Sequence, residues 1–216
     1  MTVLLYAVTE ANVPLFGHGL EGRPLRAIPC GELAAVVSDH EQPPAPSEPN
    51  LWAYEQVVER LMARATVLPA RFGSTVERDE QLEQVLAERG LEFRETLDQV
   101  RGAVEIAIRT PASDAAKTPV PAREPNAPSS GTEYMLARLA QHRRAGELAE
   151  QIDAAVGELA RARTRRATSP TTLAYLVEHE QVDEFIARLE RLGDADITWS
   201  GPWPPYSFIR PPGKAS

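Results

Sequence analysis

Apolar and polar positions divide the chain into short strands and longer amphipathic helices. Val3 to Val8 is a continuous apolar run of β-formers and predicts a buried strand. Asn12 to Pro24, with Pro14, Gly17, Gly19 and Gly22, predicts a loop. Leu25–Pro29 and Leu33–Ser38 predict two strands around a Cys30-Gly31 hairpin turn. Pro43, Pro44, Pro46 and Pro49 predict an extended excursion. From Leu51 the period changes: Leu51, Tyr54, Val57, Val58, Leu61, Met62 and Ala65 share one helical face behind Asn50 as N-cap. Thr66–Leu68 predicts a strand entering the turn Pro69-Ala70-Arg71-Phe72-Gly73. Asp79 is the next N-cap candidate, with Leu82, Val85 and Leu86 behind it. Gly90 predicts a stop, and Phe93, Leu97 and Val100 predict a second short helix.

The second half opens with a strand at Val104–Ile108, whose alternation predicts half-burial. Residues 111–130 are rich in Pro, Ala and Ser and lack large apolar groups, which predicts a mobile loop. Ser130-Gly131-Thr132-Glu133 has the form of a capping box. Met135, Leu139, Leu148, Ile152, Val156 and Leu159 then mark one stripe of a helix about 45 Å long. Arg161, Arg163, Arg165 and Arg166 are read as its basic C-terminal end. Thr171–Val177 predicts a strand, Val182 to Leu189 a short helix ending before Gly193, and Ile197–Ser200 the start of a last strand. From residue 103 the order is read as strand, helix, a further strand, strand, helix, strand, that of a ferredoxin-like split βαβ unit. The expected fold class is α+β with two domains of ferredoxin-like character, a long amphipathic helix and an extended Pro/aromatic C-terminal segment. The expected domains are 1–102 and 103–210, with a tail at 211–216.

Composition narrows the function classes. The 216 residues carry 23 Lys+Arg against 31 Asp+Glu, a net charge of -8. That balance argues against a nucleic-acid partner, because phosphate neutralisation needs a concentrated positive face. Cys30 is the single cysteine, which excludes an intrachain disulfide and a cysteine-based zinc cluster and suits a reducing compartment. With no basic n-region before Val3 and no long apolar run, neither a secretory signal nor a membrane span is predicted, and the expected location is the cytoplasm. Of the 19 prolines, 14 fall in three clusters, 43–49, 111–128 and 202–212.

Candidate chemistry is sparse. Gly17-His18-Gly19-Leu20-Glu21-Gly22 spells GxGxxG, but no strand feeds directly into it and Arg23-Pro24 leads toward another strand, so a loop is expected. His18, His40, His142 and His179 are scattered and read as surface groups. Cys30 lacks a helix N-terminus or cation to lower its pKa. No GxSxG elbow or Walker A sequence occurs. Neither catalysis, a cofactor nor a metal is expected.

Two segments stand apart from the solvated-surface reading. Thr66-Val67-Leu68-Pro69-Ala70-Arg71-Phe72-Gly73 sets one cation in an apolar strand-turn, and Gly201-Pro202-Trp203-Pro204-Pro205-Tyr206-Ser207-Phe208 is stiff and aromatic. The second suits either a rigid cap packed on a core or a protein-binding surface, including a PxxP ligand. Together they resemble the signature of the gas vesicle GvpL/GvpF family: the terminal segment is similar to its GPWPPYxF motif, and Val67–Gly73 to its VLPxRFG motif. Gly19–Gly22, Leu33–Val37, Gly131–Tyr134 and Ala174–Val177 extend the resemblance along nearly the whole chain. Tyr54 stands where the family often has His, and Ile106 where Trp is common.

The resemblance implies a non-enzymatic accessory or minor structural protein of gas vesicles, in contact with the shell protein GvpA and other vesicle accessory proteins, without a cofactor. The residues it singles out are Leu68, Pro69, Arg71, Phe72, Gly73, Gly201, Pro202, Trp203, Pro204, Pro205, Tyr206 and Phe208, for structural or partner-binding roles. Trp203 and Tyr206 are expected to pack on the body of the protein. The competing class is a small-molecule-binding regulatory domain on a ferredoxin-like fold, since fold alone does not decide function.

Overall fold

A computed structural model of the chain describes residues 1–15, 17–110, 130–166, 172–193 and 197–209. It contains helices and two antiparallel β-sheets, an α+β fold. The chain divides into two compact units, Met1–Glu105 with Pro202–Ser216, and Ile106–Gly201. The loop expected at 111–130 falls, apart from its last residue, outside the described residues, as does the tail at 211–216.

In the first unit, strands β1 (Thr2–Glu10), β2 (Arg26–Cys30) and β3 (Leu33–His40) form the sheet order β2-β3-β1-β4 with β4 (Val67–Pro69). Cys30 pairs with Leu33, so the hairpin loop is Gly31-Glu32, and Gly31 takes a positive φ of 61° that suits glycine. Helix α1 (Glu48–Met62) buries Tyr54, Val57, Val58 and Leu61 against Leu4, Tyr6 and Val36. It begins earlier than predicted, with Ser47 as N-cap and Pro49 in its first turn. Proline is tolerated there because first-turn N–H groups have no intrahelical acceptor. Asn50 instead donates to Ala45 O, and Leu51 is 42% exposed rather than on the core face.

Helix α2 (Asp79–Val100) is continuous through Gly90, where the sequence predicted a stop. A Cβ at Gly90 would lie 3.9 Å from Leu33 Cδ1, so the glycine sits where the helix passes over the sheet. Asp79 is the first helical residue rather than the N-cap. Its carboxylate is taken by Arg26, which also chelates Asp39, and Gln81 Oε1 accepts from the N-cap Arg78 N–H at 3.2 Å.

The second sheet has the order β7-β8-β6-β9, from β6 (Ala103–Arg109), β7 (Ala160–Arg166), β8 (Thr172–Glu178) and β9 (Thr198–Trp203). With helices α3 (Ser130–Val156) and α4 (Val182–Arg191), the element order read from the sequence is present. The side chains of the capping-box residues are not among those described. Met135 and Leu139 are exposed at 65% and 50%; among the described side chains of this helix, Ala149, Ile152 and Val156 are the buried ones. Strand β6 is more buried than its alternation suggests, Ala103–Ile106 being fully enclosed.

Arg161–Arg166 are not a helix tail. They form edge strand β7, antiparallel to β8, with Arg163 opposite Tyr175 and Arg165 opposite Leu173. Backbone pairing needs no apolar side chains, and charge on an edge strand discourages unwanted pairing. Arg161 is paired with Glu178 and Arg163 with Asp153.

Candidate functional site

Adjacent residues of α1 hold the two unusual segments of the sequence. Strand β4 and the two-residue strand β5 (Thr75–Val76) lie end to end along the same side of β1, pairing with Ala7–Thr9 and Val3–Leu4. Between them Ala70 to Ser74 bow outward opposite Leu5 and Tyr6, where the β1–β3 register also shifts. Ala70 N donates to Tyr6 O at 2.8 Å and Leu5 N to Ser74 O at 2.9 Å, closing the two ends of the bow. Tyr54 fills it. Its hydroxyl lies 2.8 Å from Leu5 O and 2.9 Å from Ala70 O and donates to these carbonyls. Its ring stacks on Tyr6 at 5.0 Å and meets Phe72 edge-on at 5.4 Å. Burial pushes the Tyr54 phenol up, so it remains a proton donor.

Each residue of this first segment then has a place. Leu68 and Pro69 are buried, and Pro69 ends a strand at the sheet edge, where a missing N–H is tolerated. Phe72 is half-buried. Gly73 has φ 82°, with nothing within 4 Å of the position a Cβ would take, so backbone conformation rather than space asks for glycine. Arg71 is exposed.

From Pro202 onward the C-terminal segment belongs to the same unit. Gly201 has φ 130°, Pro202 is exposed, Trp203 is half-buried at the end of β9, and Pro204 and Pro205 are buried. The chain then turns, with Tyr206 N bonded to Pro204 O at 2.7 Å and Phe208 N to Pro205 O at 3.1 Å; Tyr206 and Phe208 are half-buried. Two carboxylates hold the turn. Glu105, 6% exposed on β6, accepts from Ser207 N and Ser207 Oγ, both at 2.7 Å. Glu55 Oε1 accepts from the Tyr206 hydroxyl at 3.0 Å, while Glu55 Oε2 is buried with no hydrogen-bond partner among the described residues. Burial pushes the Glu55 carboxyl up, opposed by the Tyr206 hydrogen bond. Burial, then the neighbouring Glu55, pushes the Tyr206 phenol up as well.

The sequence marked both segments but not the α1 and β6 residues that hold them. The sequence places Tyr54 on the apolar face of α1, and where the family often has His, without showing what its hydroxyl holds, and Glu55 carries no signal of its own. The one available signal was Glu105, a lone carboxylate inside the apolar strand Val104–Ile108.

The GxGxxG stretch forms a 3-10 turn at Leu20–Gly22 and leads into β2, so no α-helix N-terminus meets it. Leu20 N donates to the Tyr6 hydroxyl at 2.7 Å, and a Cβ at Gly19 would come within 2.5 Å of that oxygen. His40 is not a surface group as expected. It is 2% exposed, with Nε2 2.8 Å from Ser38 Oγ and Nδ1 3.2 Å from Glu21 Oε2. The connectivity is that of a nucleophile, base and acid. Ser38 is fully buried, however, and its hydroxyl also bonds Tyr6 OH at 2.9 Å, so the chain acts as a buried tie between the loop and β3. Among the described residues no group of three metal-ligating side chains converges, and no helix is long and apolar enough to cross a membrane.

The family model described as gas vesicle synthesis protein GvpL/GvpF matches residues 2–210. Gas vesicle protein F of a Streptomyces species is 27% identical over 237 aligned positions, covering 97% of this chain and all of that protein. Gas vesicle protein F2 of Halobacterium salinarum is 28% identical over 191 positions, covering 82% of this chain and 76% of the relative. The crystal structure of the gas vesicle protein GvpF from an Anabaena species shares the fold, with TM-score 0.79 at 19% identity over 100% of this chain and 98% of that one. That of GvpF from Microcystis aeruginosa gives 0.76 at 18% identity over 96% and 98%.

Proposed function

The chain belongs to the gas vesicle synthesis protein GvpL/GvpF family, and on that premise we propose that it binds the shell protein GvpA and supports vesicle nucleation or assembly without catalysis. Other vesicle accessory proteins are its further partners. The family match from residue 2 to residue 210 carries the reading, because it spans both compact units and includes both motif segments.

The physical case rests on what an assembling shell needs. A small shell subunit with exposed apolar surface aggregates before it is built in. A carrier of net charge -8 that covers that surface keeps the complex dispersed until it reaches a growing vesicle edge. Edge strand β2 leaves backbone groups open for a partner strand. In this reading the two motif segments shape the first unit, and the exposed Arg71 and Pro202 are their partner-facing residues.

Deletion of the gene in a vesicle-forming host, followed by electron microscopy and by immunodetection of the protein on purified vesicles, tests the role. Loss or malformation of vesicles is expected, restored by the intact gene. Normal vesicles in the deletion strain overturn it.

A further inference from the structure

The first unit holds a cleft of about 220 Å³ that contains none of the motif residues. Val57 and Leu61 of α1 form one wall, and Val13 and Leu25 from the β1–β2 connection form another. These four belong to, or pack against, the main core cluster, so the cleft is an opening into the apolar interior. Pro14 and Gly17 also line it, and Arg60 and Arg64, both exposed, supply its charge. Arg60 lies in the last turn of α1 and Arg64 just past its end at Met62, and both line the same cleft. Arg60 Nη2 donates to His18 O at 2.8 Å, which holds that guanidinium beside the cleft and leaves its remaining N–H groups for an anion.

We propose that this cleft docks an acidic-aliphatic protein segment, with an aliphatic side chain in the slot and a neighbouring carboxylate on Arg60 and Arg64. Size argues for a side chain over a cofactor, since small-molecule sites occupy roughly 300–1,000 Å³. Charge argues for a carboxylate: two guanidiniums flank an apolar slot on a chain of net charge -8, so an acidic segment is steered here and repelled elsewhere. Arginine also suits bidentate carboxylate capture. The inference stands apart from the gas vesicle reading, and its test contains no vesicle component.

The probe is a fluorescein-labelled, end-capped helical peptide with Leu and Glu four residues apart, titrated into the full chain and followed by anisotropy. The comparisons are the same peptide with Gln for Glu, hexanoate as a competitor, and a doubly substituted protein, Arg60→Gln with Arg64→Gln, checked for folding by circular dichroism. Backbone amide NMR shifts locate the bound peptide. Support consists of peptide binding that perturbs Val13, Leu25, Val57 and Leu61 and weakens at least tenfold in the double variant and with the Gln peptide. Absence of binding, equal binding by the double variant, or shifts elsewhere overturns the proposal. Hexanoate matching the peptide in affinity also overturns it, since the cleft then takes a small carboxylate.

Discussion

The Tyr206 hydroxyl donates to Glu55 Oε1 at 3.0 Å, joining residues 151 positions apart. One helical position earlier, Tyr54 holds the bow formed by Ala70 to Ser74. Two consecutive residues of α1 thus fasten the two segments by which the family is recognised, and several of the residues that make the motifs recognisable are explained by how the first unit is built.

Tyr206→Phe removes the only hydrogen bond described for the Glu55 carboxyl and leaves it buried and unsatisfied. The expected cost is about 1–3 kcal/mol. For a chain of this size that lowers the melting temperature by roughly 2–4 °C per kcal/mol. Thermal circular dichroism reads the shift, and an unchanged midpoint means the contact contributes nothing.

Glu55 also predicts a pH dependence. Burial raises its pKa in the folded chain, so the folded state holds the proton more tightly than the unfolded one. The resulting stabilisation is fully present below the unfolded carboxyl value of about 4.3 and fades as pH rises through the folded value. Glu55→Gln keeps an acceptor for Tyr206 without a charge. The variant is therefore expected to be at least as stable as the parent at pH 7, with the parent gaining on it as pH falls toward the unfolded carboxyl value. A melting difference that does not vary with pH contradicts this.

Within the first segment, Tyr54, Gly73 and Arg71 separate structure from partner contact. Tyr54→Phe removes the hydroxyl that donates to the Leu5 and Ala70 carbonyls and costs about 1–3 kcal/mol. Gly73→Ala forces a side chain into a left-handed conformation at about 1–2 kcal/mol. Arg71→Ala, at an exposed position, shifts stability by no more than about 0.5 kcal/mol. Chemical denaturation ranks the three, and an Arg71→Ala loss as large as that of Tyr54→Phe refutes the assignment.

Trp203→Ala tests the C-terminal segment. Complete deletion of a buried Trp costs about 3–5 kcal/mol, and half-burial sets the expectation at up to about 3 kcal/mol. Lower melting with impaired vesicle formation supports a structural role. Unchanged melting with lost vesicles makes the Trp a partner contact instead.

The reach of sequence reading follows from the range of each interaction. The β2–β3 hairpin, α1, α4 and the element order after residue 103 were legible because their periods are local. Gly90 misled because a lone glycine need not end a helix whose apolar face continues, with Leu86, Phe93 and Leu97 buried on either side of it. Arg161–Arg166 misled because an edge strand is held by its backbone and shows no apolar alternation. His40 looked like a surface group because Ser38, its bonded neighbour, carries no metal or catalytic spacing. Glu55 was invisible as an anchor and Glu105 showed only as a carboxylate in an apolar strand, since their partners, Tyr206 and Ser207, are 151 and 102 positions away.

The most direct measurement is co-purification of untagged GvpA with the tagged full-length chain from cells producing both, with circular dichroism confirming that the recovered protein is folded. The account predicts that GvpA is retained through washing. A folded protein that retains no GvpA contradicts it.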